Sequence, residues 1–405
     1  MILLFKINRK LFVVAVLLLA IAMYVSCSKI LPKAPAEDEL LDGPVEGLSP
    51  EQHARFLAGD VAFNNEVFTP ATGLGPVFVA TSCGSCHAGD GKGHPFTMLT
   101  RFGQTDASGN QFLKRGGPQL QHRAIPGFEP EQIPAGATFS KFMPPANTGL
   151  GFLEAVPDAA ILALADENDL NGDGISGRVN WINLPAYVNI HPGSAQQGGK
   201  YIGRFGKKAA VYSLLQQTAG AYNQDMGITS VFETRDTYSG LEIDPEVSTQ
   251  TVNNVVFYLQ ALKAPIQRNK NDAEVQSGSL LFVNTGCAKC HTPSFTTGQS
   301  SIASLSNKTV FPYSDLLLHD MGAGLDDGYT EGSALTAEWR TPPLWGLGLS
   351  MNSQGGKYFL MHDGRAKSIE EAILLHGGEA AQTKQNYQQL TADEKRKLIK
   401  FLESL

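Results

Sequence analysis

What this sequence lacks narrows its class before any motif is read. It has no surplus of positive charge: 32 Lys and Arg stand against 39 Asp and Glu, giving a formal net charge of −7. Nucleic-acid binding relies on clustered Lys and Arg to neutralise phosphate, so that class of partner is not expected. The longest apolar run, "LFVVAVLLLAIAMYV" at residues 11–25, is shorter than the about 20 residues a membrane span needs. Tryptophan is rare, with only Trp181, Trp339 and Trp345, and cysteine nearly as rare, with five in 405 residues. By contrast there are 42 Gly and 22 Pro. Neither residue suits a helix interior. Together with 42% hydrophobic residues, enough to bury a core, this predicts a mostly α fold with long ordered loops. The length suggests two domains.

The N-terminus reads as an export signal. Lys6, Arg9 and Lys10 precede the apolar run, and Ser26-Cys27 closes it. A small residue before a cysteine at that place resembles a lipoprotein cleavage site, with Cys27 as the lipidated first residue of the mature chain; a plain signal peptide or an uncleaved anchor is the alternative. Residues 1–27 are then the signal peptide and 28–45 a polar, Pro-rich tether. The body is expected in the periplasm, held to the membrane by the lipid.

With Cys27 set aside, the four remaining cysteines form two identical units, "CGSCH" at 83–87 and "CAKCH" at 287–291, and none is left for a separate disulfide. Cys-x-x-Cys-His is the attachment pattern of c-type haem. On a helical turn Cys83 and Cys86 share a face, each able to form a thioether to one vinyl group. His87 can then ligate the iron. Cys287, Cys290 and His291 repeat the set. Structural zinc would pair such units within tens of residues, not across the chain. A redox dithiol gives no reason for two adjacent histidines, while disulfides remain compatible with export. Two covalently bound c-type haems are the expectation.

The halves also echo one another beyond these units. "KFMPPANTGLGFLEAV" and "GRFGKKAAVYSLLQQTAGAYNQDMG" follow the first unit; "WRTPPLWGLGL" and "HDGRAKSIEEAILLHGGEA" follow the second. An internal duplication is therefore predicted, with an N-terminal haem domain at 46–265 and a C-terminal one at 266–405. Residues 248–269 read as a helix ended by Pro265. Residues 391–405 read as a helix with Thr391 as N-cap, Glu394 completing a capping box, and Leu398, Phe401 and Leu402 as its apolar stripe.

These stretches, with "GLGPVFVATSCGSCH" and "NGDGISGRVN", resemble the bacterial di-haem cytochrome c peroxidase superfamily. The closer likeness is to its di-haem oxidoreductase branch, once called thiol oxidoreductase-like, across nearly all of residues 46–405. The resemblance implies a C-terminal haem with two protein ligands that relays electrons, and an N-terminal haem whose distal side reacts with peroxide or oxygen. It places a second C-terminal ligand at His376, with Met361 and His362 as rivals. Independently, Ile369, Ile373 and His376 share one helical face. For the N-terminal haem it points to Gln217 and Asp225, in "SLLQQTAGAYNQDMG", as catalytic residues. The spacing departs slightly from the family's, and Asp replaces Glu. Peroxide cleavage needs such a group to carry a proton between oxygens. His94, His122 and Met143 are candidates for a resting ligand there, and an open site is the alternative.

Haem propionates require guanidinium partners, which makes Arg204, Arg340 and Arg365 candidates, with Arg340 and Arg365 preferred. Trp345 is a candidate electron relay or a core residue. Asp169, Asn171 and Asp173, followed by Gly174, alternate as in a calcium loop, but Asn180 stands where the bidentate Glu belongs. A plain Asx-rich turn is the alternative to calcium.

The expected activity is peroxidase-like, drawing electrons from a small redox protein or a quinol-linked donor and spending them on peroxide or another small oxidant. Alternatives are oxidation of a protein or organic substrate through high-valent iron or dioxygen, and a non-catalytic electron-transfer cytochrome.

Overall fold

The structure, a computed structural model, describes residues 35–405 except 104, 107, 108, 111 and 113–118, together with residues 10, 14, 16 and 17. Cys27 and most of the apolar run lie outside the described residues. Contacts divide the chain into residues 1–40 and 41–405. The first unit shows the short 3-10 turn Glu37–Glu39. Among the described residues no helix is long and apolar enough to cross a membrane.

Helix is the main regular structure of residues 41–405. Ten α-helices are described: α1 (Pro50–Asn64), α2 (Leu150–Glu154), α3 (Asp158–Leu162), α4 (Leu214–Met226), α5 (Thr249–Ala261), α6 (Ala273–Thr285), α7 (Ser350–Ser353), α8 (Ile369–Leu375), α9 (Ala381–Gln389) and α10 (Ala392–Ser404). Long loops join them, stiffened by antiparallel hairpins of short strands that the sequence reading did not anticipate. One of these hairpins bears on the site. Leu318–Asp320 pairs with Glu338–Arg340, setting His319 opposite Trp339.

The two predicted helices form with earlier ends than expected. α5 is capped by Ser248, whose hydroxyl accepts from Thr251 N, and stops at Ala261 rather than running to Pro265. α10 has the predicted capping box, Thr391 with Glu394. Its Leu398, Phe401 and Leu402 are buried.

Two crossings organise the unit, α1 against α5 and α6 against α10, and both are built around a helical glycine. A Cβ on Gly59 would clash with the Asn254 carbonyl oxygen and lie 2.6 Å from Tyr258 Cβ. A Cβ on Gly278 would clash with the Lys397 carbonyl oxygen and lie 2.7 Å from Phe401 Cβ. Helical Gly→Ala usually stabilises by limiting the unfolded chain. Here backbone fills the space, so G278A should destabilise by about 1–3 kcal/mol. A urea titration checks this, and an unchanged midpoint would show that the crossing can yield.

Two large apolar cores surround these crossings. One is built mainly from residues 45–262, yet it also takes in Phe295, Ile302, Leu305, Val310, Leu316, Leu317 and Trp345. The other lies within residues 275–405. The expected boundary near 265 is therefore crossed by the segment after the second Cys-x-x-Cys-His.

Candidate haem cavity

Neither Cys-x-x-Cys-His unit sits on a long helix. Each is a single helical turn, closed by hydrogen bonds from His87 N to Cys83 O (3.1 Å) and from His291 N to Cys287 O (3.0 Å). That turn still brings each cysteine pair and its histidine to one side. Both units face one cavity of about 380 Å³, partly open to solvent. All four thiols are free. Burial pushes Cys83 and Cys287 up to about 12 and Cys86 up to about 11. A redox dithiol needs its thiolate favoured, which these surroundings oppose.

The histidines are set alike. His87 Nδ1 donates to the Pro145 carbonyl (3.0 Å) and His291 Nδ1 to the Tyr313 carbonyl (2.9 Å). A carbonyl only accepts, so each Nδ1 carries the proton and, in the neutral ring, Nε2 keeps its lone pair. Burial favours that neutral form, lowering both groups to about 4. An imidazole tied at Nδ1 and free at Nε2 is the usual state of a metal-ligating histidine. Each also has a phenylalanine beside it from the preceding crossing, Phe63 at 5.9 Å and Phe282 at 6.4 Å between ring centroids.

His376 lines the same cavity. It is the C-cap of α8 in extended conformation rather than a residue on the helix face. Its Nδ1 donates to Ala372 O (2.7 Å), repeating the arrangement of His87 and His291. Of its rivals, His362 engages Asp327 through Nε2 (2.8 Å) and stacks on Trp339 at 3.7 Å. Met361 lines the cavity with a φ of 70°.

Helix α4 turns one face to the cavity, bringing together the expected pair Gln217 and Asp225. Asp225 accepts from Gln119 Nε2. Burial raises its carboxyl to about 6, with the Gln119 hydrogen bond and the Arg101 charge opposing. Two hydroxyls on this face, Thr218 Oγ1 and Tyr222 Oη, are buried without a hydrogen-bond partner. The sequence reading missed both, although each stands one helical turn or less from Gln217 or Asp225. Of the resting-ligand candidates only Met143 lines the cavity; His94 is half-buried outside its lining and His122 is exposed.

The arginines separate. Arg340 is 9% exposed and lines the cavity. Its Nε donates to Gly206 O (2.9 Å), while Nη1 is buried without a partner. Lys92 and Lys207 line the same cavity, and burial lowers them to about 8 and about 7. None of the three has a carboxylate in hydrogen-bonding range among the described residues. Arg204 is instead spent on Asp158 and the carbonyls of Leu153, Glu154 and Val156. Arg365 engages Asp363, Asp327 and the Gly324 carbonyl and does not line the cavity.

Trp339 and Trp345 line the cavity, and Trp345 also belongs to the first core. Trp339 lies between the His362 ring and the buried Lys208 ammonium, 3.9 Å from its ring. Trp181 sits in the strand Asn180–Ile182, outside the lining. In the acidic loop, Asp169 Oδ1 accepts from Asp173 N, Asn171 Oδ1 from the same N, and Asp173 pairs with Lys289 at 3.1 Å. These are Asx turns and an ion pair.

The residues fit haem on their own chemistry. Two histidines offer Nε2 into an apolar cavity, paired thiols flank them, and Lys92, Lys207 and Arg340, none hydrogen-bonded to a carboxylate among the described residues, line it, as carboxylate-bearing macrocycles would require. The sequence matches the family described as "Di-haem oxidoreductase, putative peroxidase" over residues 140–405. The chain belongs to that family. The family's name implies haem cofactors and oxidoreductase chemistry. Its match begins after Cys83–His87, so the first unit rests on its own geometry. A search of curated proteins finds no match. Among solved structures the chain is similar to a chain of Kuenenia stuttgartiensis hydrazine synthase pressurised with xenon, at 15% identity and a TM-score of 0.40, covering 93% of this chain and 98% of that one. That likeness is too loose to carry an inference about function.

Proposed function

We propose that the protein is an exported di-haem c-type oxidoreductase of peroxidase type, built from two duplicated haem-binding halves. The observation that carries this reading is the single cavity faced by two Cys-x-x-Cys-His turns, each histidine tied at Nδ1 to a backbone carbonyl. Support for duplication comes from the matched crossings: in each half a glycine seats the helix and a phenylalanine on it reaches the histidine. Ser248 and Thr391 cap the equivalent partner helices.

Cys83 and Cys86 would hold one haem by thioethers and Cys287 and Cys290 the other, with His87 and His291 offering Nε2. Bound haem would supply the redox-active iron. His376 offers a second Nε2 on the C-terminal side. Arg340, Lys92 and Lys207 would balance the propionates. Asp225 would take a proton from one oxygen of hydrogen peroxide and hand it to the other, which leaves as water, the task for which a carboxyl poised near neutrality is suited. Gln217, Thr218 and Tyr222 would orient the oxidant through their free polar groups.

In this reading electrons arrive at the C-terminal half from a small redox protein or quinol-linked donor and are consumed at the N-terminal half. The mature chain is tethered in the periplasm through lipidated Cys27. The calcium reading gains no support from the loop geometry.

Mixing the purified protein with hydrogen peroxide under optical and electron paramagnetic resonance detection tests the proposal. A high-spin iron that reacts with peroxide and depends on Asp225 supports it. Two low-spin irons inert to peroxide and cyanide would instead make the protein an electron carrier.

A further inference from the structure

His319 is a buried histidine, 3% exposed, that no part of the proposed chemistry uses. Its Nε2 lies 2.8 Å from Asp315 and its Nδ1 2.8 Å from Glu379. Carboxylates accept hydrogen bonds, so both ring nitrogens face acceptors and the ring bridges two acids. Nδ1 is also 3.6 Å from Cys290 Sγ. Glu379 gathers further donors: Ser176 N (3.1 Å), Ser176 Oγ (3.0 Å) and Asp320 N (3.1 Å). One carboxylate thus joins the strand 318–320, the loop 169–177 and the segment after α8.

That segment begins at His376. Between His376 and Glu379 lie Gly377 and Gly378, packed backbone to backbone on residues 320–322. A Cβ on Gly377 would lie 2.8 Å from Met321 O. A Cβ on Gly378, whose φ is +51°, would collide with Asp320 O, and one on Gly322 would lie 2.8 Å from Gly378 N. The His376 ring is thus tied to the Ala372 carbonyl of α8, and its backbone runs directly into a docked chain anchored by the Glu379 contacts.

We propose that Asp315, His319 and Glu379, with the glycine seat beside them, form a positioning device that fixes His376 at the C-terminal haem. The proposal rests on the reading that His376 is a ligand of that iron. Loss of a charge-assisted hydrogen bond should shift a two-state ligation equilibrium by about tenfold or more. None of these residues needs to touch the haem.

The test uses full-length, haem-loaded protein and reads the ferric low-spin resonance signal of the C-terminal haem. E379Q and H319Q should convert part of it to high spin, and added imidazole should restore it. S176A, which removes one donor, should act in the same direction with smaller amplitude. Should the first two variants fail to load haem, S176A decides: altered low-spin g values support the device, and unchanged ones overturn it. Wild-type spectra in E379Q and H319Q with both haems present would also overturn it. H376A separates the two layers. If it loses the low-spin signal while E379Q keeps it, the device fails and the ligand assignment stands. If H376A keeps the signal, the assignment itself fails and the device falls with it.

Discussion

Replacing Asp225 with Asn should lower peroxide turnover by about 10²-fold or more while both haems stay in place. The carboxyl lies on the cavity-facing side of α4 with Gln217, Thr218 and Tyr222. It is the group there whose ordinary value is moved toward neutrality, to about 6, because burial penalises its charged form. The amide keeps the size and most of the hydrogen bonding but cannot take a proton. The sign of the pH dependence follows. In the proposed step the proton acceptor is the carboxylate, so wild-type activity should rise as pH increases through about 6 and level off above it. D225N should lose that rising limb. The same raised value makes the ionised folded form costly. Stability contributed by this group is full below the ordinary Asp value near 3.8 and is lost as pH rises through about 6. D225N should thus not be less stable than wild type at pH 7 to 8, and thermal melting at both ends of the range checks this. An inactive variant that melts far below wild type at pH 7 would show a structural role instead.

The second large effect divides the two cysteine pairs. C83S/C86S should abolish reaction with peroxide altogether, because the cavity face that carries Asp225 and Gln217 would lose its metal. C287S/C290S should leave a first reaction with peroxide but remove steady-state turnover with an electron donor, since the proposed entry site is lost. Stopped-flow spectra of the pre-reduced variants separate the outcomes. If C287S/C290S abolishes the peroxide reaction and C83S/C86S does not, the two halves have the opposite roles. Intact helix content by circular dichroism would guard against a folding explanation.

The residues that carry the site were legible because their chemistry is local. Two cysteines and a histidine on one turn declare themselves without tertiary information, and so did the capping box of α10. Gln217 and Asp225 were proposed from the family resemblance rather than from spacing, and both line the cavity. For Arg365 a Gly-Arg motif does not reveal that Asp363 and Asp327 lie within reach. Arg204, a candidate that was not preferred, instead pairs with Asp158, brought to it by a distant helix. The Asp315–His319–Glu379 bridge was invisible because Glu379 is far from His319 in sequence and meets it only through the glycine seat. Lys92 and Lys207 belong to no motif, and only the fold turns them toward the cavity. The crossing of the boundary near 265 was hidden too, since nothing in an apolar pattern says which of two cores a loop will join.

The central claim is that thioethers to Cys83, Cys86, Cys287 and Cys290 hold two haems in one chain. Intact-mass spectrometry of the matured protein under denaturing conditions tests it most directly, with a pyridine haemochrome spectrum of the same sample. The account predicts a polypeptide heavier by two haem groups, whose colour stays with the protein after acid-acetone extraction. A mass equal to the polypeptide alone, or haem that leaves into the organic phase, would contradict it.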